Sequence, residues 1–123
     1  MPIYSHKDLI VWQKAIKLCK VVYATTEKFP KSEIYGITSQ MRRSAVSIPS
    51  NIAEGGSRNT TKDFLHFLSI ALGSASELET QIEIAKELNL ITLPKYKELN
   101  DLLVEISKMT TGLMKKLDSK TNH

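Results

Sequence analysis

Apolar residues recur three and four positions apart along most of the chain, in four stretches separated by prolines, glycines and short polar runs. That spacing belongs to helices with one buried face, and no stretch follows the period of two that marks a strand. The first stretch covers about 8–28. It opens at Asp8 as an acidic N-cap and stops at Phe29-Pro30, because the residue before a proline is driven out of helical geometry. The second, about 32–55, begins after Ser32 as N-cap, turns Ile34, Ile37, Met41, Ser44, Ile48 and Ile52 inward, and ends at Gly55-Gly56. The third, about 60–89, opens with Thr60 and Asp63 in a capping-box arrangement and carries an inward stripe from Phe64 to Leu88. The fourth, about 93–117, has Thr92 as N-cap and Pro94 in its first turn, and its apolar positions alternate three and four apart from Tyr96 to Leu117. The tail after Lys116 is expected to fray. These elements predict the all-α class: one domain over 1–123, built as an antiparallel up-and-down four-helix bundle.

Pro49 lies inside the second apolar pattern. It lacks the N–H for one backbone hydrogen bond and clashes with the carbonyl four residues earlier, so helix 2 is expected to be kinked at Pro49 or broken in two there. Ser50 and Asn51 are the side chains placed to serve the carbonyl left without a partner, and Glu54 is placed to pair with Arg58. Small residues cluster at Ser44, Ala45, Ser47 and Ser50 and again from Ala71 to Ser76. Folding helices 2 and 3 into a hairpin sets these runs opposite each other and lets the backbones approach closely.

Helix 1 has more apolar surface than one bundle uses. Val11, Ala15, Leu18 and Val22 make one stripe and Trp12, Ile16, Cys19 and Tyr23 a second. The surplus stripe predicts that another subunit covers it, hence a homo-oligomer.

The formal net charge is +4, which alone specifies no partner, but its distribution is uneven. Residues 1–62 hold ten basic and four acidic side chains, a balance of +6, whereas residues 63–123 hold seven and nine, a balance of −2. Lys14, Lys17, Lys20, Arg42, Arg43, Arg58 and Lys62 are the candidates for contact with RNA or DNA, since arginine forks and lysine ammoniums suit phosphate oxygens. The helix 2–helix 3 hairpin is expected to bring Arg42 and Arg43 toward Arg58 and Lys62. The structural alternative is an ion pair of Arg42 or Arg43 with Glu77 or Glu79, and it stays open at this level.

Reactive chemistry finds little footing. His6, His66 and His123 have no partner at a metal-ligating helical spacing, and the single Cys19 lies in an apolar face where it acts as a small hydrophobe. The EGGSR segment at Glu54 to Arg58 follows a helix rather than a strand and lacks the Lys-Ser/Thr ending of a phosphate loop. The expectation is no metal, no cofactor and no enzymatic activity. The chain shows no apolar run of membrane-spanning length and no signal-peptide pattern, so a cytoplasmic location is expected.

Four segments carry a resemblance: DLIVWQKA at Asp8 to Ala15, Phe29-Pro30, YGITSQMRRSAVSIPSNIAEG at Tyr35 to Gly55, and FLHFLSIALGSASELETQ at Phe64 to Gln81. Together they resemble the bacterial proteins encoded within intervening sequences of 23S ribosomal RNA genes, over about nine tenths of the chain. Ile37 stands where that family often has Leu. The resemblance implies a four-helix bundle assembled as a homopentamer, with no catalytic residue to carry over. The chain is also similar, at the level of fold, to the accessory protein of diversity-generating retroelements, which implies nucleic acid and a reverse transcriptase as partners by analogy. The leading expectation is therefore an oligomeric nucleic-acid-binding or ribonucleoprotein accessory module. The alternative is a protein-binding scaffold with no nucleic-acid role.

Overall fold

Four helices form where the apolar periodicity places them: α1 (Ile10–Thr26), α2 (Ile37–Gly56), α3 (Thr61–Glu87) and α4 (Leu93–Thr121). The structure is a computed structural model that describes residues 5–121, with side chains through 119. His123 lies outside the described residues. Each helix turns one stripe inward. Leu18, Met41, Ile48, Ile52, Leu68, Leu78, Ile82, Leu99 and Ile106 are all less than 2 % exposed and make one continuous core. Burying each such side chain contributes about 1.5–3 kcal/mol, so this layer dominates the stability. Among the described residues the backbone of α1 lies beside α2 and α4 and that of α3 beside α2 and α4, while the diagonal pairs stand farther apart across the shared core, which makes a square bundle. The end of α1 meets the beginning of α2, where Arg42 reaches Thr26 and Glu27, while Cys19 lies against Ala45.

The closest packing joins α2 to α3, and the small residues account for it. The hydroxyls of Ser47 and Ser74 are 2.7 Å apart, so the two small-residue runs do face each other. Nearer the turn, Gly55 makes room for the approach: a Cβ there would lie 2.9 Å from Cδ1 of Phe64 and 2.9 Å from Cβ of Phe67, so the phenylalanines would have to shift.

The helix ends differ from the sequence expectation in four places. Asp8 does not cap α1; it closes a 3-10 turn at His6–Asp8, and Leu9 takes the N-cap position with no side-chain bond. α2 begins at Ile37 rather than after Ser32, because Lys31–Glu33 forms a separate 3-10 turn and Gly36 (φ −113°, ψ −117°) breaks the path between them. Ile34 is consequently 49 % exposed instead of inward. α3 ends in a Schellman turn. Asn89 adopts φ 59°, its N–H bonds to the Lys86 carbonyl at 3.0 Å, and the Leu90 N–H bonds to the Ala85 carbonyl at 2.9 Å. The reversal leaves Leu88 56 % exposed and returns Leu90 to the core edge in its place. α4 runs on through Thr121 past the point where the tail was expected to fray, and residues 122–123 lie outside the described residues.

Two N-caps hold as read: Thr60 Oγ1 accepts from the Asp63 N–H at 3.1 Å, and Thr92 Oγ1 accepts from the Lys95 N–H at 3.3 Å. Pro49 does not divide α2, which is one helix from Ile37 to Gly56. Ser50 and Asn51 do not serve the carbonyl that Pro49 abandons. The Ser50 hydroxyl donates to the Val46 carbonyl at 2.8 Å and the Asn51 amide to the Ser47 carbonyl at 2.8 Å, each four residues back on its own turn. The abandoned acceptor is Ala45, and Cys19 reaches it across the helix pair with its thiol, Sγ to O 3.2 Å.

Candidate nucleic-acid interface

α1 contains Lys14, Lys17 and Lys20 and no acidic residue. Its core stripe of Val11, Ala15, Leu18 and Val22 is buried, which turns the lysines to the flank and outside of the bundle. Lys17 and Lys20 are exposed, and among the described residues no carboxylate lies within ion-pair reach of either. Lys14 is half-buried and pairs with Glu105 of α4 at 3.2 Å.

The two arginines of α2 part company, since neighbours on a helix point about 100° apart. Arg42 faces α1. Its Nε donates to Thr26 Oγ1 at 2.8 Å, its Nη2 lies 3.3 Å from Glu27 Oε2, and its guanidinium sits 4.6 Å over the Tyr23 ring. Its acidic partner is thus Glu27 and neither Glu77 nor Glu79. Arg42 locks the end of α1 to the start of α2, and that use of its donors competes with phosphate. Arg43 is exposed with no ion pair among the described residues.

Arg58 and Lys62 occupy the α2–α3 connection, and the hairpin does not bring them to Arg42 and Arg43. Sixteen residues of helix at about 1.5 Å each separate Arg42 from Arg58 by roughly 24 Å along the bundle. Arg58 pairs with Glu54 at 2.9 Å, as the spacing of four predicts, and its guanidinium lies 4.8 Å over the Phe67 ring. Lys62 is exposed and unpaired among the described residues. Of the seven candidates, Lys17, Lys20, Arg43 and Lys62 therefore keep their donors free.

Beside the lysines runs the second apolar stripe of α1. Ile16 is 36 % and Tyr23 44 % exposed, Trp12 and Cys19 are half-buried, and Val46 of α2 adds a further 42 %-exposed side chain. α2 covers this stripe in part, through Ala45 at Cys19 and Arg42 over Tyr23, and leaves Ile16, Tyr23 and Val46 partly exposed. Burial lifts the Cys19 thiol to a pKa of about 11, which keeps it protonated and a hydrogen-bond donor at neutral pH. Among the described residues no three His, Cys, Asp or Glu side chains gather as a metal site would need, and no helix is long and apolar enough to cross a membrane. His66 is exposed and edge-on to Phe67. The residue that the sequence pattern concealed is Tyr35: it falls within the span of about 32–55 expected for helix 2, but it precedes the helix and is 95 % exposed.

The sequence profile described as 23S rRNA-intervening sequence protein matches residues 7–112. A crystal structure of a protein of unknown function from the S23 ribosomal protein family of Bacteroides thetaiotaomicron is similar to this chain, with 26 % sequence identity and a TM-score of 0.81. The match covers 86 % of this chain and 96 % of that one. No curated protein matches the chain.

Proposed function

This chain belongs to the 23S rRNA-intervening sequence protein family, and we propose that it is a non-enzymatic, self-associating helical bundle that binds RNA or DNA through Lys17, Lys20 and Arg43, with Lys62 as a separate contact. The observation that carries this reading is that α1 contains no acidic residue and that two of its three lysines, Lys17 and Lys20, have no carboxylate within ion-pair reach among the described residues, Lys14 being paired with Glu105. An uncompensated basic face binds phosphate by releasing condensed counterions, without regard to sequence. Self-association would repeat that face around the assembly and raise its affinity through multivalency. The partly exposed side chains of Ile16, Tyr23 and Val46 support self-association, since apolar surface of that kind gains free energy when a second copy removes it from water. The homopentamer implied by the resemblance is the assembly we propose.

Titration of the protein against single-stranded RNA, structured RNA and duplex DNA at several salt concentrations tests the reading. Affinity should fall linearly with log salt for at least one of them. Absence of salt-dependent binding to all three would leave the scaffold reading in its place. Light scattering on the eluting protein should give a mass several times 13.8 kDa, and a monomer at micromolar concentration would refute the assembly.

A further inference from the structure

The connection between α1 and α2 presents an aromatic ring that the bundle does not use. Tyr35 is 95 % exposed, the most of any large apolar side chain of the described residues. Its support is firm. Phe29 anchors the connection in the core at 7 % exposure, and the N–H groups of Glu33, Ile34 and Gly36 each bond three residues back, to Pro30, Lys31 and Glu33, at 2.9, 3.1 and 3.0 Å. The turn is thus already ordered, and a flat ligand settling on the ring has only the side-chain torsions of Tyr35 left to fix.

Two lysines share the connection with the ring. Lys28 and Lys31 are exposed on the same connection, with no carboxylate in ion-pair reach among the described residues. Of the two acids of the segment, Glu27 meets Arg42, while Glu33, two residues from the ring, has no ion pair among the described residues and brings Oε1 to within 3.2 Å of where a Cβ on Gly36 would stand. Lys31 is four residues from Tyr35, at most about 14 Å even for extended chain, and the turn shortens that. Seven residues separate Gly36 from Arg43, close to two helical turns, so Arg43 stands about 10 Å up α2 on nearly the same face.

We infer that Tyr35 is a stacking platform for an unpaired nucleobase, with Lys31 and Arg43 receiving the flanking phosphates, so that this end of the bundle binds single-stranded nucleic acid. The inference rests on the nucleic-acid reading above and narrows it. Every base has a face on which an aromatic ring can stack, so the site is tolerant of sequence. In a duplex those faces are already stacked on neighbouring bases. Tyr35 then adds nothing to duplex binding, which is left to the phosphate contacts.

The test compares wild type, Tyr35→Ala and Tyr35→Phe for binding to a short oligouridylate, its deoxy counterpart and a duplex with the same number of phosphates. Tyr35→Ala should lose at least about fivefold in affinity for one or both single strands and nothing for the duplex, while Tyr35→Phe, which keeps the ring, should match wild type. The two single strands separate RNA from DNA as the source of the base. Wild-type binding that Tyr35→Ala leaves unchanged overturns this inference and spares the broader reading. Binding by wild type to none of the three probes overturns both. A fall in oligomer mass on Tyr35→Ala, read by light scattering, assigns the ring to a second copy of the chain and overturns the inference as well.

Discussion

The thiol of Cys19 on α1 donates a 3.2 Å hydrogen bond to the main-chain carbonyl of Ala45 on α2, the acceptor for which Pro49, four residues on, has no N–H. An interior proline ordinarily weakens a helix by about 3 kcal/mol, part of it through that vacated acceptor. Here the neighbouring helix supplies the donor, and α2 continues as one helix to Gly56. The thiol can donate because burial holds it protonated.

A double-mutant cycle on Cys19 and Pro49 measures this pairing. Cys19→Ala should cost about 1–3 kcal/mol in urea unfolding, since it strands a carbonyl in the α1–α2 contact. In the Pro49→Ala background the N–H of residue 49 returns to Ala45, and the same change should cost less. Equal costs in both backgrounds would show that the thiol only fills space.

The same group sets an alkaline stability limit. Its folded pKa of about 11 lies above that of an exposed thiol, so the folded state holds the proton more tightly than the unfolded state does. Its contribution is complete below the unfolded pKa and is lost as pH rises through the folded value. Wild type should therefore lose stability between about pH 9 and 11 relative to Cys19→Ala. In native protein the thiol should react slowly with iodoacetamide at pH 8, and a rate equal to that of the unfolded chain would contradict its burial.

Glycine substitutions divide by what surrounds them. Gly55→Ala drives a Cβ to 2.9 Å from two phenylalanine side chains, and overpacking of that kind costs about 1–3 kcal/mol. Gly73→Ala meets no atom within 4 Å and should stabilise α3 by up to about 1 kcal/mol through helix propensity. Thermal melts should move in opposite directions for the two variants.

Charge removal should separate Arg42 from its neighbours. Arg42→Gln loses the bond to Thr26 and the contact over Tyr23, and should destabilise the protein by about 1–2 kcal/mol; Glu27 contributes little of this because it is largely exposed. Replacing Lys17, Lys20 and Arg43 with Gln should leave stability within about 0.5 kcal/mol of wild type. The triple variant should instead flatten the slope of log affinity against log salt, by about 0.9 per lost duplex phosphate contact or about 0.7 per single-strand contact. An unchanged slope would remove these three residues from the interface.

The helices, their inward faces and the class of the fold were legible in the chain because a period of 3.6 leaves its mark on residues three and four apart, whatever they later pack against. The facing of the serine runs, met at Ser47 and Ser74, was legible for a similar reason: a short turn after Gly56 leaves two helices little choice but to fold back on each other. Choices made across helices left no such mark. Arg42 and Arg43 are adjacent in sequence, yet one is spent on Thr26, Glu27 and Tyr23 and the other is free, because 100° of rotation puts them against different surroundings. Arg58 looked close to both and lies near the far end of α2, since a hairpin pairs residues about its turn and does not gather the two ends of one helix. Tyr35 could not be placed until the 3-10 turn at Lys31–Glu33 and the break at Gly36 moved it off the helix. The donor for Ala45 proved to be Cys19, twenty-six residues earlier in the chain: local spacing names the group that lacks a partner, and only packing brings a distant one within reach.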